Sequence, residues 1–288
     1  MKYPTSFEPQ HQNHHPGFEY EMNPLPIYDN EQIIKQGNLL ENKVAIITGG
    51  DSGIGRAAAV AFAKQGADIA VVYYNETEDA KQTQQAIEGY GRKCLLIPGD
   101  ITDAHFCSKI VAEVISKFEK IDILINNAAV QYEATTLSEI SDQQFDKTFK
   151  TNVYGAFYLT KAVLPHLKSG ASIINTTSVV AFHGNEKLVD YSMTKGALTA
   201  FTRSLSMMLA KSGSGIRVNA VAPGPIWTPF IPSSAPAQQV AKFGNNTPLG
   251  RAGQPVECSG AYVFLASEAA SYITGQTIHI NGGEIVNA

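Results

Sequence analysis

Tyr191 and Lys195 stand four residues apart in a segment whose apolar residues Leu198, Phe201, Leu205, Met208 and Leu209 keep helical spacing, so a phenol and an ammonium share one helix face. A phenol near its ordinary pKa of about 10 is a poor acid or base at neutral pH. An adjacent ammonium favours the phenolate and brings proton transfer within reach. Most isolated YxxxK pairs are ordinary surface residues, so position decides. Ser178 lies shortly upstream, after the apolar run Ser172–Asn175, at the carboxyl end of a strand, where a parallel sheet delivers its active site.

A second chemical signature precedes these. The run Val44–Ile47 is followed by Thr48-Gly49-Gly50-Asp51-Ser52-Gly53-Ile54-Gly55 and then an alanine-rich stretch. A strand turning sharply into a helix places oriented amides and a partial positive charge at the turn, and glycines let a pyrophosphate approach the backbone. The plain alternative is a structural strand-to-helix turn with no ligand. The spacing is TGxxxGIG rather than GxGxxG.

The elements needed to hold these groups are legible as alternating short β-branched runs and amphipathic segments, the pattern of βαβ units and a parallel sheet. Val44–Ile47, Ile69–Tyr73, Cys94–Ile97, Ile121–Ile125, Ser172–Asn175 and Val218–Val221 read as buried strands, with Thr277–Ile280 a seventh. Ile54, Ala57, Ala58, Ala61 and Phe62 recur at helical spacing, as do Phe106, Ile110, Val111, Val114, Ile115 and Phe118. The expectation is a single α/β domain of the doubly wound Rossmann type over residues 41–288, with a seven-stranded parallel sheet and a substrate loop at about 225–250. Residues 1–40 differ. They hold five of the 14 prolines and three of the seven histidines, and are expected to form an extended arm over the body or a neighbouring subunit. His11, His14 and His15 lack a metal-site scaffold and are expected to be solvated.

Together with Asn126-Asn127-Ala128-Ala129, Ser178, Tyr191-Ser192-Met193-Thr194-Lys195 and Pro223-Gly224, in that order, the glycine turn resembles the short-chain dehydrogenase/reductase family over about residues 41–288. The arm and the TGGDSGIG wording look like a bacterial branch that includes general-stress proteins and an aldehyde reductase. The resemblance implies an NAD(P)-dependent oxidoreductase that moves a hydride between nicotinamide and a carbonyl or alcohol. In it Tyr191 is the general acid/base, Lys195 also holds the nicotinamide ribose, Ser178 binds the substrate oxygen, and Asn152 supports a water-linked proton relay. It also implies a homotetramer. Cofactor contacts are expected from Thr48, Gly49, Asp51, Ser52, Gly53, Ile54 and Gly55. Further contacts are expected from Tyr73, Asp100, Ile101, Asn127, Ala128, Tyr191, Lys195, Pro223, Gly224, Ile226 and Thr228. Asn126 is expected near the adenosine ribose and the central sheet. Ala129 replaces a glycine usual at that position in the family.

The position that discriminates NAD from NADP falls at about Tyr73, in Val72-Tyr73-Tyr74-Asn75, where there is neither an acid nor an arginine. The preference stays open. Gln131, Val180 and Trp227 are expected to touch substrate, and the aromatic character of the surrounding loops favours a neutral compound. A redox-inactive NAD(P)-binding protein, or an epimerase or dehydratase with tightly held NAD, are the rival readings.

Bulk properties narrow the partners. A net charge of −4, from 22 basic and 26 acidic residues without long single-sign runs, gives no footprint for nucleic acid or an anionic membrane. No run approaches the roughly 18 apolar residues that span a bilayer. Cys94, Cys107 and Cys258 match no metal or disulfide spacing, so reduced thiols in a cytoplasmic protein are expected, and no metal.

Overall fold

The computed structural model describes residues 3–286; residues 1, 2, 287 and 288, at the outer ends of the expected arm and domain, lie outside it. Seven strands form one sheet: Val44–Thr48 (β1), Asp68–Tyr73 (β2), Cys94–Pro98 (β3), Ile123–Asn126 (β4), Ser172–Thr176 (β5), Arg217–Pro223 (β6) and Thr277–Ile280 (β7). Their order is β3-β2-β1-β4-β5-β6-β7 and every pairing is parallel. A parallel sheet must be covered on both faces, which is why its central strands β1, β4 and β5 are buried along their whole length.

The crossovers supply the cover. Gly53–Lys64 (α1), Thr77–Gly89 (α2), Ala104–Phe118 (α3), Asp142–Phe149 (α4), Gly155–Val163 (α5), Val180–His183 (α6), Val189–Lys211 (α7), Ala237–Val240 (α8) and Pro255–Ala266 (α9) follow in chain order. Ala58, Ala59, Phe62, Cys258 and Tyr262 fill the core on the α1/α9 face; Ile110, Val114, Leu159 and Leu205 fill it on the α3/α5/α7 face. The alanines of α1 carry little side-chain volume, which lets α9 pack closely beside it. Winding reverses between β1 and β4, so a crevice opens at their carboxyl ends, where this class of sheet places its ligands.

The arm lies over its own body. Phe7 N donates to Ala241 O and Gln12 N to Pro232 O, at 3.2 and 2.8 Å. Trp227 Nε1 donates to Pro24 O at 2.9 Å, and Lys64 pairs with Asp29 and Glu31. A separate apolar cluster, with Phe7, Met22, Trp227, Ile231 and Val240 at its centre, holds arm and substrate loop together.

Candidate active site

The turn after β1 is built around close approaches that only glycine permits. Gly49 has φ +59° and Gly53 φ +52°, a region that side chains rarely enter. A Cβ on Gly55 would lie 1.9 Å from Gly49 O. Thr48 and Gly55 do not themselves line the cavity beyond the turn. Thr48 Oγ1 accepts from the amides of Asn127 and Ala128 at 2.9 and 3.1 Å, so it clamps β1 to β4. The Gly53 amide is also not free: it donates to Glu19 Oε2 from the arm at 2.6 Å. Glu19 is 1% exposed and pairs with Arg56, which also meets Asp79.

A cavity of about 770 Å3 runs along the carboxyl ends of the strands. At one end it is lined by Asp51, Ser52, Ile54, Tyr73, Asp100 and Ile101, and in the middle by Asn127, Ala128, Pro223, Gly224, Ile226 and Thr228. Asp100 also accepts from Thr102 N at 2.9 Å, so it shapes its turn while facing the cavity. Asn126 is elsewhere. Its side chain donates to Thr160 and Asn175 inside the core, so it holds the central sheet, as one half of its expected place, and does not line the cavity.

Glu76 was not expected. It lies just beyond β2, lines the cavity, is 3% exposed, and its Oε1 has no hydrogen-bond partner. Its Oε2 accepts from Asn75 N at 2.9 Å, which fixes the carboxylate. Burial, reinforced by the charge of Glu76, pushes the neighbouring Asp51 carboxyl up to about 7. Counting residues along β2 could not reveal this, because the side chain returns to the site only after the chain has left the strand.

Ser178, Tyr191 and Lys195 meet at the other end of the cavity. Ser178 sits between Thr177 and Val179, whose amides donate to Val221 O and Pro223 O of β6 at 2.8 and 2.9 Å, so the hydroxyl is carried on a braced loop. Lys195 Nζ donates to Thr176 O at 2.7 Å and lies 5.4 Å from the Tyr191 ring centroid. Burial holds Lys195 down to about 7. Burial also raises Tyr191 well above the ordinary phenol range, opposed by a hydrogen bond from Ser178. Lys195 stands beside the ring, where an ammonium favours the phenolate, while desolvation pushes the other way.

Asn152 does not line the cavity. It sits in a π-helical turn, Lys150–Tyr154, and its side chain is spent: Oδ1 accepts from Val130 N at 2.8 Å, and Nδ2 donates to Val130 O and Thr194 Oγ1 at 2.9 and 3.0 Å. Thr194 Oγ1 in turn donates to Tyr191 O at 2.7 Å. Asn152 thus ties the Val130 wall to the helix of Tyr191.

Gln131 and Val180 line the cavity as expected. Trp227 does not. It is fully buried, stacked on Phe7 and hydrogen-bonded to the arm, so its expected contact with substrate is replaced by a structural one. The aromatic that does face Tyr191 is Phe230, with ring centroids 6.0 Å apart. His15 is not solvated either; it lines this end of the cavity. Among the described residues no group of His, Cys, Asp and Glu is placed to hold a metal, and no helix is long and apolar enough to cross a membrane.

A doubly wound sheet with a glycine cradle at its crevice and a Ser, Tyr and Lys at one cavity end defines a class, and comparison agrees. Residues 49–284 match a family model described as enoyl-(acyl carrier protein) reductase. The chain belongs to the short-chain dehydrogenase/reductase family and is an NAD(P)-dependent oxidoreductase. It is 53% identical to general stress protein 39 of Bacillus subtilis, over 99% of this chain and 98% of that one. It is 47% identical to NADPH-dependent aldehyde reductase 1, chloroplastic, of Arabidopsis thaliana, over 98% and 99%. A short chain dehydrogenase from Burkholderia cenocepacia, solved in complex with NADP, superposes with a TM-score of 0.80 at 29% identity, covering 86% of this chain and 99% of that one.

Proposed function

We propose that this oxidoreductase interconverts a small neutral carbonyl compound and its alcohol, with Tyr191 as the proton donor and acceptor. The observation that carries the reading is the convergence of Ser178, Tyr191 and Lys195 on one end of a cavity whose other end reaches the glycine turn. The residues fit a dinucleotide. The cradle has no room for side chains at Gly53 or Gly55, the cavity is long enough to connect both ends, and Glu76 presents an unpaired buried carboxylate oxygen. Ser52, Ile54, Asn127, Ala128, Ile226 and Thr228 would hold the cofactor between those ends. Bound nicotinamide supplies or accepts the hydride at its C4.

The chain's own part is to orient and to move a proton. In reduction Ser178 donates a hydrogen bond to the substrate oxygen, and Tyr191 gives that oxygen its proton as negative charge develops. Oxidation runs in reverse. Tyr191 sits against Val179, Val180, Leu188 and Phe230, an apolar setting that excludes water and keeps the phenol protonated until substrate oxygen takes its proton. Lys195, held on Thr176, then stands beside the phenolate, where its ammonium form stabilises that charge. Asn152 keeps Val130 and Tyr191 in register through its side chain, which leaves its backbone to serve a water-linked relay. The apolar setting favours an uncharged substrate.

A buried carboxylate welcomes a ribose hydroxyl and repels a 2′-phosphate. Glu76 and Asp51 therefore support preference for NAD(H), although one relative is described as NADPH-dependent. Phe157, Met193, Met207 and Met208, all exposed on α5 and α7, support assembly into a homotetramer, which light scattering tests. Three free, buried cysteines fit a reducing compartment, and we place the enzyme in the cytoplasm.

The deciding experiment follows absorbance of NADH and NADPH against aldehydes, ketones and sugars, for the wild type and Tyr191→Phe. Substrate-dependent oxidation that falls about 100-fold or more in the variant is expected. Turnover retained near the wild-type level would overturn the assignment.

A further inference from the structure

The arm does more than cover the surface. His15, Pro16 and Gly17 line the same cavity as Tyr191. The His15 ring packs edge-on to Tyr132 at 5.2 Å and tilted on Phe230 at 5.5 Å, and Phe230 is the ring that faces Tyr191. His15 is thus one ring removed from the reacting phenol.

Its polar atoms are occupied. Gln131 N approaches Nε2 at 3.4 Å, so this nitrogen is the acceptor and Nδ1 carries the hydrogen, donated to Ser233 Oγ at 2.8 Å. Ser233 Oγ passes its own hydrogen to Phe230 O at 3.2 Å. Burial, with the nearby charges of Lys147 and His14, holds the imidazole down to about 4, so it is neutral at working pH. What it offers a substrate is a rigid, uncharged ring surface rather than a hydrogen bond.

The arm is built to reach this place. A Cβ on Gly17 would lie 2.4 Å from Pro229 O and 2.9 Å from Ser233 Cβ, so the chain can run against the substrate loop only because residue 17 has no side chain. Gln12 closes the bend by exchanging two hydrogen bonds with the Phe18 backbone, each 2.8 Å. Phe7 on Trp227 anchors one side and Glu19 at the α1 N-terminus anchors the other.

We infer that the arm completes the active site and that His15 is a specificity-determining residue, a steric wall limiting the size of the group attached to the reacting carbonyl. This rests on the proposed reaction at Tyr191. The test compares kcat/KM for acetaldehyde, butanal and 2-naphthaldehyde with NADH in the full-length wild type, His15→Ala, His15→Phe and Tyr191→Phe. In His15→Ala the 2-naphthaldehyde-to-acetaldehyde ratio is expected to rise at least fivefold; a smaller change overturns the inference. His15→Phe refills the space without the hydrogen bonds and should bring the ratio back toward wild type, whereas a ratio equal to that of His15→Ala would sink the steric role. Retained turnover in Tyr191→Phe beside a changed ratio in His15→Ala would overturn only the proton-donor reading. One readout needs no turnover: benzyl alcohol added to 15N-histidine-labelled protein should shift the His15 signal, identified by its loss in His15→Ala. No shift at saturation counts against the wall.

Discussion

The ring of Phe7 lies parallel to that of Trp227, 3.7 Å between centroids and 6° between planes. Trp227 is the only tryptophan in the chain, so its fluorescence reports directly on whether the arm is docked. Phe7→Ala should alter the emission and lower stability by about 3 kcal/mol, the usual cost of emptying a buried aromatic site. Denaturant unfolding followed by fluorescence and by circular dichroism checks this. Unchanged emission would mean that the stack does not persist in solution.

Lys195 is expected to be costly to the fold. Its folded pKa of about 7 lies below the ordinary 10.5, so between those values the unfolded chain binds more protons and stability rises with pH; the contribution is lost as pH falls toward 7. Lys195→Met removes the buried ammonium but also a hydrogen bond to Thr176 O. The variant should be more stable by about 2 kcal/mol at pH 7, with a flatter stability profile from pH 7 to 10 and little turnover. Equal stability and an unchanged profile would show that the ammonium is better solvated than its burial implies.

For Glu76, calorimetric titration should give NADH a dissociation constant at least tenfold below that of NADPH, about 1.4 kcal/mol. Glu76→Gln should narrow the gap mainly by improving NADPH binding. Equal affinities in the wild type would place the discriminating contact elsewhere.

Glu19 carries the opposite sign from Lys195. Burial, offset in part by Arg56 and the Gly53 amide, pushes its carboxyl up to about 7 from an ordinary 4.5. Between these values the folded chain binds more protons, so stability is highest below the lower one and falls as pH rises to 7. The loss amounts to about 3 kcal/mol. Glu19→Gln keeps an acceptor for Gly53 N while removing the charge, and should flatten this part of a melting-temperature profile between pH 4.5 and 7.5.

Strands were readable to within one or two residues because a doubly covered parallel strand is a β-branched run closed by turn residues, as Ser172–Thr176 illustrates. The glycine turn, and the gathering of Ser178, Tyr191 and Lys195 on one cavity, were readable because a parallel sheet brings the segments at its strand ends together. Long-range packing was not. Trp227 and Phe230 are equally aromatic and three residues apart, yet one turns to the arm and the other to the cavity, and only the path of residues 7–24 decides which. The arm's apolar residues have no period, since Phe7 and Met22 fit a pocket formed by Trp227, Ile231 and Val240, far along the chain. Lys195 lies near Tyr191, as the spacing gives, and burial adds an opposing effect on the phenol that spacing does not show.

Those distant contacts also set an order of assembly. Residues 7–17 can dock only after residues 227–241 have been made and folded, because their backbone and ring partners lie there. During synthesis the earlier segment must therefore wait while the sheet forms beneath it, and the chamber around Tyr191 gains its last wall from a part made long before the loop it docks on. An antibody or protease that recognises residues 7–17 only when undocked would report how many molecules have finished that final step.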